Sequence, residues 1–323
     1  MSEPIYHVTG IGNAIVDILA QVPESFLTKH NLVKGSMALI DQQMAEALYE
    51  TIPQAVEASG GSAANTIAGI SSLGGKTAYI GKVKNDQLGG IFAHDIRSLG
   101  VHFDTDYAEA GASTARCFVV ITPDAQRTMS TYLGVAGNIT NDDMDAEVIA
   151  SSRLIYIEGY LWDEPTTIKA IKHAISISKK HHRQVAFSLS DSFCVDRHRD
   201  EFLELIASDI DILFANESEI IALFECPFDE AVKQLQQLGK LAALTRGASG
   251  SLIVTANETY KIAPIPTKVV DTTGAGDLYA AGFLYGYTQN LPLPECGRLG
   301  SVAAAEIISH IGARPQQTLK ELV

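Results

Sequence analysis

The chain has 323 residues, of which 46% are hydrophobic and 19% are charged, and its formal net charge is −14. This length suits one large α/β domain, or one domain with a smaller attachment, built around a substantial core. The acidic balance excludes a large basic face that could collect phosphates, so we expect no nucleic-acid partner.

The cysteines and the N-terminal sequence indicate where the protein works. The four cysteines lie far apart and form no Cys-x-x-Cys pair, which disfavours a disulfide framework and a zinc site and suits a reducing, cytoplasmic location. The N-terminus, MSEPIYHVTGIG, has no basic and apolar leader, so we expect no signal peptide. The uncharged stretch 58–75 contains five glycines and reads as a loop and a small-residue helix. We therefore expect no membrane contact.

Short β-like runs alternate with helical patterns along most of the chain. The predicted strands are 6–10, 78–81, 154–158, 184–188, 210–215, 242–245 and 251–255. The predicted helices are 90–99, 167–178, 201–206, 218–224 and 229–238. This alternation is typical of an α/β fold with a mainly parallel sheet that is covered by helices on both faces.

Two segments, 13–41 and 103–135, interrupt this alternation. They contain strand-like runs at 15–21, 36–40, 116–122 and 127–132 without helices between them. Strands without crossover helices pair antiparallel, so we expect one small sheet beside the main one, with two surface hairpins as the alternative. The predicted division is a core of 1–12, 42–102 and 136–323 and a small β lid of 13–41 and 103–135.

The stretch DTTGAGD, residues 271–277, lies between an apolar run and a helix-like run. Small residues at a helix start can align backbone N–H groups, and the helix adds partial positive charge there. Such a group of amides would stabilise charge on a transferring phosphoryl group. Asp277 is then placed to accept a proton from an attacking hydroxyl, and we expect the helix field to keep it ionised. On this motif alone, a tight turn followed by a first-turn helix acid is an equally good reading.

Taken together, the motifs resemble those of the PfkB (ribokinase-like) family of sugar and nucleoside kinases, closest to its adenosine-kinase-like branch. GGSAAN (60–65), NESE (216–219) and DTTGAGD (271–277) match the family's signatures in the expected order. GNAIVD (12–17), Ser62 after the glycine pair, and SLSDSF (188–193) favour that branch. The resemblance implies a ribokinase-like fold, in which a Rossmann-like, doubly wound, mainly parallel sheet carries a small β-sheet lid.

The resemblance also implies catalytic roles. Asp277 would be the base that activates the acceptor hydroxyl, and the backbone of Gly274, Ala275 and Gly276 would form an anion hole. Arg127 is similar to an arginine that reaches the active site from the lid in nucleoside-kinase relatives. A surface turn residue is the alternative for Arg127.

The acceptor sugar would be held by Asp17, which resembles the family's carboxylate for sugar hydroxyls; a solvent-facing strand residue is the alternative. The residues expected to help Asp17 are Asn13, Gly60, Gly61, Ser62 and Asn65. A nucleoside base would also need an apolar, aromatic-lined slot, for which Leu133, Tyr160 and Trp162 are the candidates. A core position is the alternative for Trp162.

The resemblance also implies residues that bind ATP and its ions near residues 271–277, which we call the signature loop. Asn216 and Glu219 would organise Mg²⁺ and its waters, although an acid is also favourable in a first helical turn without a metal. The residues implied to contact ATP are Thr245, Arg246, Gly247, Gly250 and Thr273. His310 either borders the adenine pocket or simply ends a helix. Many family members also bind a monovalent cation such as K⁺, for which Asp271 and Thr273 are the matching ligands.

Three hypotheses for function follow. The leading one is an ATP-dependent, Mg²⁺-requiring kinase that phosphorylates the 5′-hydroxyl of adenosine or a related nucleoside. The second keeps this chemistry with a sugar acceptor such as ribose or fructose. The third is a non-kinase relative, for example a lyase-type glycosidase or a catalytically silent binding protein. A monomer and a homodimer are both compatible with the sequence.

Overall fold

The computed structural model describes residues 4–124 and 126–323. Residues 1–3, at the start of the predicted core range 1–12, and residue 125, inside the predicted lid range 103–135, lie outside the described residues. The strands are β1 Tyr6–Ile11, β2 Ile15–Gln21, β3 Met37–Leu39, β4 Val56–Gly60, β5 Thr77–Ile80, β6 Ala115–Ile121, β7 Arg127–Tyr132, β8 Ser152–Glu158, β9 Gln184–Ser188, β10 Ile212–Asn216, β11 Leu241–Thr245, β12 Ser251–Val254 and β13 Thr259–Ile262. The α-helices are α1 Glu24–Lys29, α2 Gln42–Thr51, α3 Ser62–Ser72, α4 Gln87–Ser98, α5 Ala146–Ala150, α6 Pro165–Lys180, α7 Ser192–Ser208, α8 Glu217–Phe224, α9 Phe228–Gln237, α10 Ala275–Thr288 and α11 Leu293–Ile307.

The main sheet has eight strands in the order β13-β12-β11-β10-β9-β8-β1-β5. All neighbours from β5 to β11 pair parallel, and β12 and β13 add an antiparallel edge. The two faces of a parallel sheet must both be buried, because the crossover helices pack on them. Helices α3, α4, α10 and α11 share one apolar cluster, and α5 to α9 share the other. The predicted α/β, mainly parallel architecture is confirmed.

A second, smaller sheet has the order β3-β7-β6-β2-β4. Helices α1 and α2 cover its outer face, where Phe26, Leu27 and Leu48 are buried in one cluster with Ile18 and Phe118. The small sheet predicted beside the main one is therefore present, but its expected antiparallel pairing is only partly right. Strands β2 and β6 pair parallel, as do β3 and β7, because a long stretch of chain separates the members of each pair.

The boundaries of the small sheet also differ from the predicted ranges. Strand β4 pairs with β2, although its residues fall within the predicted core range 42–102. The alternating pattern of 56–60 is weak, since only the last two residues of β4 are buried. Whether the small sheet moves as a lid stays a prediction.

The topology brings six strand ends to one edge of the main sheet. Parallel strands end on the same side, so β1, β5, β8, β9, β10 and β11 all finish at the edge where ligands bind in open α/β sheets. Their last residues are Ile11, Ile80, Glu158, Ser188, Asn216 and Thr245. The loops that follow these strands are the natural place to look for a site.

Two further predictions about the surroundings can be compared with the structure. In the described part of the chain, no helix combines the length and the apolar character that a membrane crossing requires. The four cysteines are all free thiols. The cytoplasmic location stays a prediction.

Candidate active site

Asp277 lies in the first turn of α10, and its carboxylate faces the start of α3. Ser62 Oγ donates a hydrogen bond to Oδ1 (2.6 Å), and Asn65 Nδ2 donates to Oδ2 (2.9 Å). Burial raises the pKa of Asp277, while these two bonds oppose the rise by favouring the charged form. We expected the helix field to keep Asp277 ionised, but burial has the larger effect on its pKa and favours the protonated form. The result is a proton acceptor held in a fixed orientation.

The backbone amides beside Asp277 are mostly free. Within the described residues, the N–H groups of Gly274 and Gly276 make no hydrogen bond, whereas the N–H of Ala275 donates to the Thr272 carbonyl oxygen (3.2 Å). Unpaired amides at a helix N-terminus attract anions, and the helix adds partial positive charge. Two of the three amides predicted for the anion hole are therefore available to a phosphate.

These groups open into a cavity of about 750 Å³ at the carboxyl edge of the main sheet. A volume of this size accommodates a small-molecule ligand such as a nucleotide. The predicted site residues that line it are Ser62, Asn216, Glu219, Thr245, Gly247, Gly250, Ala275, Gly276 and Asp277. Apolar residues also line it, among them Phe214, Ile265, Ala304, Ala305 and Ile308. One cavity thus offers both the polar groups around Asp277 and apolar surface suited to a base.

Asn216 and Glu219 form a capping box at the start of α8. Asn216 Oδ1 accepts from the Glu219 N–H, and Glu219 Oε2 accepts from the Asn216 N–H, both at 2.9 Å. This reciprocal capping explains the NxxE spacing without a metal. However, burial raises the pKa of Glu219 to about 7, and among the described residues no Lys or Arg pairs with it. A buried carboxylate that faces a cavity without a cation fits Mg²⁺, which prefers oxygen ligands.

Asp17 lies on β2 of the small sheet, against the glycine pair that precedes α3. A Cβ atom at Gly60 would collide with the Asp17 carboxylate, and one at Gly61 would collide with the Asn13 carbonyl oxygen. Gly61 also has a φ of +92°, which residues with a side chain rarely adopt. Burial raises the pKa of Asp17 to about 7. The absence of side chains at Gly60 and Gly61 therefore allows this part of the backbone to lie against the half-buried Asp17 carboxylate and the Asn13 carbonyl oxygen.

Glu158, at the end of β8, is a site residue that the sequence analysis missed. Its Oε1 accepts from the Asn13 N–H (2.8 Å) and its Oε2 from the Ala63 N–H (2.7 Å). Glu158 is buried, and burial raises its pKa to about 7. It ties the turn after β1 to the start of α3, the two segments expected to hold the acceptor. An acid that ends an apolar strand at the ligand-binding edge is the signal that could have revealed it.

Arg127, at the start of β7, reaches from the small sheet to the signature loop. Its Nη1 donates to Thr273 Oγ1 (2.6 Å) and forms an ion pair with Asp271. Asp271 also accepts from the N–H groups of Thr273 and Gly312, both at 3.0 Å. The Arg127 guanidinium therefore occupies the cation position beside Asp271, so the residues predicted as K⁺ ligands do not fit a monovalent cation in this arrangement. Arg127 supplies the positive charge there.

The segment that follows α11 shapes the signature loop. The carbonyl oxygen of Ile308 accepts from the N–H groups of Val270 (2.8 Å) and Asp271 (3.3 Å). Gly312 then binds the Asp271 side chain, as described above. The loop before α10 is thus fixed by residues close to the C-terminus, which sequence patterns alone do not indicate.

Several predicted site residues lie elsewhere. Trp162 is buried, and its ring packs edge-on against Phe187 (5.4 Å) and Phe202 (5.5 Å) between ring centroids. The prediction that Trp162 lines a slot for the base is therefore wrong. The side chain lies in the core, because the five-residue 3₁₀ turn after β8 directs it inward. Tyr160 remains half-buried, and its hydroxyl donates to Asp191 (3.0 Å).

The other predicted contacts are weaker. His310 is directed to Glu306 (3.1 Å) and does not line the cavity, so its place at the adenine pocket is corrected to a helix-end contact. Arg246 pairs with Glu217 (2.8 Å) and also lies outside the cavity lining, unlike its neighbours Thr245 and Gly247. Leu133 is half-buried just after β7.

Comparison with solved structures shows what this arrangement is similar to. A family model described as "pfkB family carbohydrate kinase" matches residues 28–319. The adenosine kinase from Sinorhizobium meliloti is 50% identical, with a TM-score of 0.92, over 98% of each chain. A probable sugar kinase from Rhizobium etli CFN 42 is 46% identical, with a TM-score of 0.93, over 98% of this chain and 97% of that chain.

Two relatives compared by sequence are named as kinases of a sugar or a sugar acid. An uncharacterized sugar kinase from Archaeoglobus fulgidus is 33% identical over 255 residues, which are 76% of this chain and 96% of the relative. The 5-dehydro-2-deoxygluconokinase from Clostridium botulinum is 28% identical over 280 residues, which are 81% of this chain and 82% of that enzyme. Nucleoside and sugar acceptors both occur among similar proteins, so phosphoryl transfer is better supported than any one acceptor.

Proposed function

This chain belongs to the pfkB family of carbohydrate kinases, and we propose that it transfers the terminal phosphate of ATP to the 5′-hydroxyl of adenosine or a related nucleoside. The observation that carries the proposal is the setting of Asp277. Its carboxylate is oriented by Ser62 and Asn65, lies beside the free N–H of Gly276, and lines the 750 Å³ cavity. A proton acceptor next to amides that attract an anion suits in-line transfer to an alcohol.

In the proposed reaction, Asp277 accepts the proton of the acceptor hydroxyl as its oxygen attacks the terminal phosphorus. The bond between that phosphorus and the bridging oxygen of ADP breaks, and ADP leaves. The N–H groups of Gly274 and Gly276 meet the charge that develops on the phosphoryl oxygens, where fixed donors are most effective. Ser62 and Asn65 hold the Asp277 carboxylate in one orientation during the transfer.

Asp17 is the proposed grip for the acceptor's sugar hydroxyls. Glu158 fixes the two backbone segments around that position by binding the N–H groups of Asn13 and Ala63. A carboxylate that accepts hydrogen bonds from two hydroxyl groups holds a sugar ring in one orientation. Holding the acceptor hydroxyl in the orientation for attack lowers the activation barrier. We propose that Arg127 holds the small sheet over the site through its contacts with Asp271 and Thr273 of the signature loop.

Asn216 and Glu219 are the residues that would hold Mg²⁺ through water. When bound, Mg²⁺ would neutralise charge on the nucleotide phosphates. The buried Glu219 carboxylate lines the cavity and is oriented by Asn216. Its oxygen atoms are of the type that Mg²⁺ prefers as ligands.

The choice of adenosine over a sugar is supported by the 50% identity to the Sinorhizobium meliloti adenosine kinase. A specific observation favours the second candidate, a sugar acceptor. Trp162, the only tryptophan, lies in the core and is lost from the expected base slot, which leaves fewer aromatic groups to stack on a base. The kinases of sugars among the relatives agree with that candidate.

An assay of ADP release across adenosine, guanosine, inosine, ribose, fructose and 5-dehydro-2-deoxygluconate separates these candidates. We expect kcat/KM for adenosine to exceed that for any free sugar by at least about a hundredfold, since a matched pocket discriminates by several kcal/mol. A higher value for one of the sugars would replace the nucleoside by that sugar as the acceptor. Inertness of every acceptor in the folded protein would contradict the proposal.

A further inference from the structure

Arg314, in the segment after α11, lies behind the acceptor side of the site. Its Nε donates to the Ser59 carbonyl oxygen (3.0 Å), its Nη1 to the Ala64 carbonyl oxygen, and its Nη2 to Ser59 Oγ (3.2 Å). Ser59 is the residue of β4 directly before Gly60, and Ala64 lies in the first turn of α3. One guanidinium therefore joins the two pieces of backbone that flank Gly60 and Gly61.

The charge of the same guanidinium acts on acidic groups from four elements. They are Asp17 on β2, Asp277 on α10, Asp95 on α4 and the Tyr79 hydroxyl on β5. Burial lowers the pKa of Arg314 to about 10, which leaves it charged near neutral pH. Among the described residues, Arg314 and Arg127 act as cations on Asp17, and Arg314 acts as the cation on Asp277.

We propose that Arg314 is a positioning residue of the phosphoryl-transfer site: its guanidinium fixes the start of α3 beneath the acceptor and supplies the positive charge that Asp17 and Asp277 share. The proposal rests on the proposed function, because it assumes that these two carboxylates act on the acceptor. Its geometric basis is independent of the acceptor's identity. The bonds to Ser59 and Ala64 hold the helix whose Ser62 and Asn65 orient Asp277.

The consequence of losing this charge has a definite sign. Arg314 opposes the rise in pKa that burial causes at both Asp17 and Asp277. In Arg314→Met the pKa of each carboxyl should therefore rise further, so the proton acceptor becomes protonated at a higher pH. Arg314→Lys keeps the charge, but an ammonium cannot reproduce the planar fork that bridges Ser59 and Ala64.

The first test is the pH profile of kcat/KM for ADP release with the acceptor that the wild-type protein uses best. For Arg314→Met we expect roughly tenfold more loss at pH 6 than at pH 8, since each unit of pKa is a factor of ten. Arg314→Lys should keep the wild-type profile and raise the acceptor KM. A loss that is equal at all pH values would reduce Arg314 to a structural role and overturn the proposal.

A matched control is Arg153→Met. Arg153 also donates to a backbone carbonyl, that of Thr288 (2.6 Å), and to Asn290, but it lies at the start of β8, at the opposite edge of the sheet. We expect Arg153→Met to leave the pH profile unchanged. A similar shift in this control would show that any lost guanidinium has the same effect.

A second test does not need activity. A carboxyl whose pKa is raised on folding binds protons more tightly in the native state, so it destabilises the fold as pH rises towards that pKa. The loss of Tm between pH 5 and pH 8 should therefore be larger in Arg314→Met than in the wild type, and Arg314→Gln serves if the Met variant does not fold. An unchanged loss of Tm overturns the inference even if every acceptor is inert, whereas inert acceptors alone contradict only the proposed function.

Discussion

Arg127 of the small sheet forms an ion pair with Asp271 of the signature loop, and the same Nη1 donates to Thr273 Oγ1 at 2.6 Å. The Asp271 side chain is almost fully buried, so its charge requires a partner. An arginine provided by the small sheet meets that requirement. The contact also joins the small sheet to the loop before α10.

This pair predicts the response to K⁺. Replacing K⁺ by choline at constant ionic strength should change the wild-type rate of ADP release by less than about twofold, because Arg127 already neutralises Asp271. In Arg127→Met the basal rate should fall and K⁺ should restore part of it, as the buried carboxylate then lacks a cation. Strong K⁺ activation of the wild-type protein would contradict this prediction.

Replacing Asp277 by Asn should abolish most of the turnover while ATP still binds. The amide keeps the shape, its oxygen can still accept from Asn65, and its NH₂ group can donate to Ser62 Oγ. It cannot accept a proton, so kcat should fall by about 10²- to 10⁴-fold. Calorimetric titration of ATP checks that the nucleotide site is intact. Near-normal turnover would remove Asp277 from the role of base.

The role of Glu219 is tested by the Mg²⁺ dependence of the rate. In Glu219→Gln the concentration of Mg²⁺ at half-maximal rate should rise by about tenfold or more, because the variant loses the only negative charge of the capping box. The neighbouring Glu217, which pairs with Arg246, offers a matched control. Equal Mg²⁺ dependence in Glu217→Gln and Glu219→Gln would show that the effect is not specific to the cavity.

The pH dependence of stability tests the setting of Asp17. The pKa of this carboxyl is raised from 3.8 to about 7, so the folded state binds more protons than the unfolded state between these values. Stability should therefore decrease as pH rises from about 4 to about 7, and Asp17→Asn should reduce that decrease. Thermal unfolding at pH 5 and pH 8 measures it. Asp104→Asn, at an exposed acid, should leave the decrease unchanged, and an equal effect of both variants would contradict the assignment.

The corrected position of Trp162 is also testable. Trp162→Ala should lower the free energy of unfolding by about 3–5 kcal/mol, as expected for a large aromatic group removed from a packed core. The acceptor KM should stay close to that of the wild type. Phe193→Ala, at a residue that is 70% exposed, should leave stability unchanged. A large rise in KM with little loss of stability would return Trp162 to the acceptor site.

The sequence was informative where local chemistry decides the structure. The DTTGAGD motif predicts a helix start from residues that are local in the chain, and α10 begins there. The roles of Asp277 and Glu219 follow from the family resemblance and stay predictions. The alternation of strands and helices likewise predicted the main sheet, because periodicity reports burial directly. Weak strands were harder: β4 is mostly exposed, and its membership of the small sheet depends on a distant partner.

Long-range contacts account for what was missed. Glu158 acts on backbone groups 145 and 95 residues away, at Asn13 and Ala63, and Arg314 acts on Ser59, 255 residues away. No pattern within a short window contains both ends of such a contact. The inward direction of Trp162 is another tertiary outcome, since a tryptophan after a strand can face either the cleft or the core.

The attachment of the signature loop to Ile308 and Gly312 has a consequence for local unfolding. The N–H groups of Val270 and Asp271 donate to the carbonyl oxygen of Ile308, and the N–H of Gly312 donates to the Asp271 side chain. Any opening of the segment after α11 therefore releases the loop before α10 as well, so the amide hydrogens of Val270, Asp271 and Gly312 should exchange with solvent at similar rates.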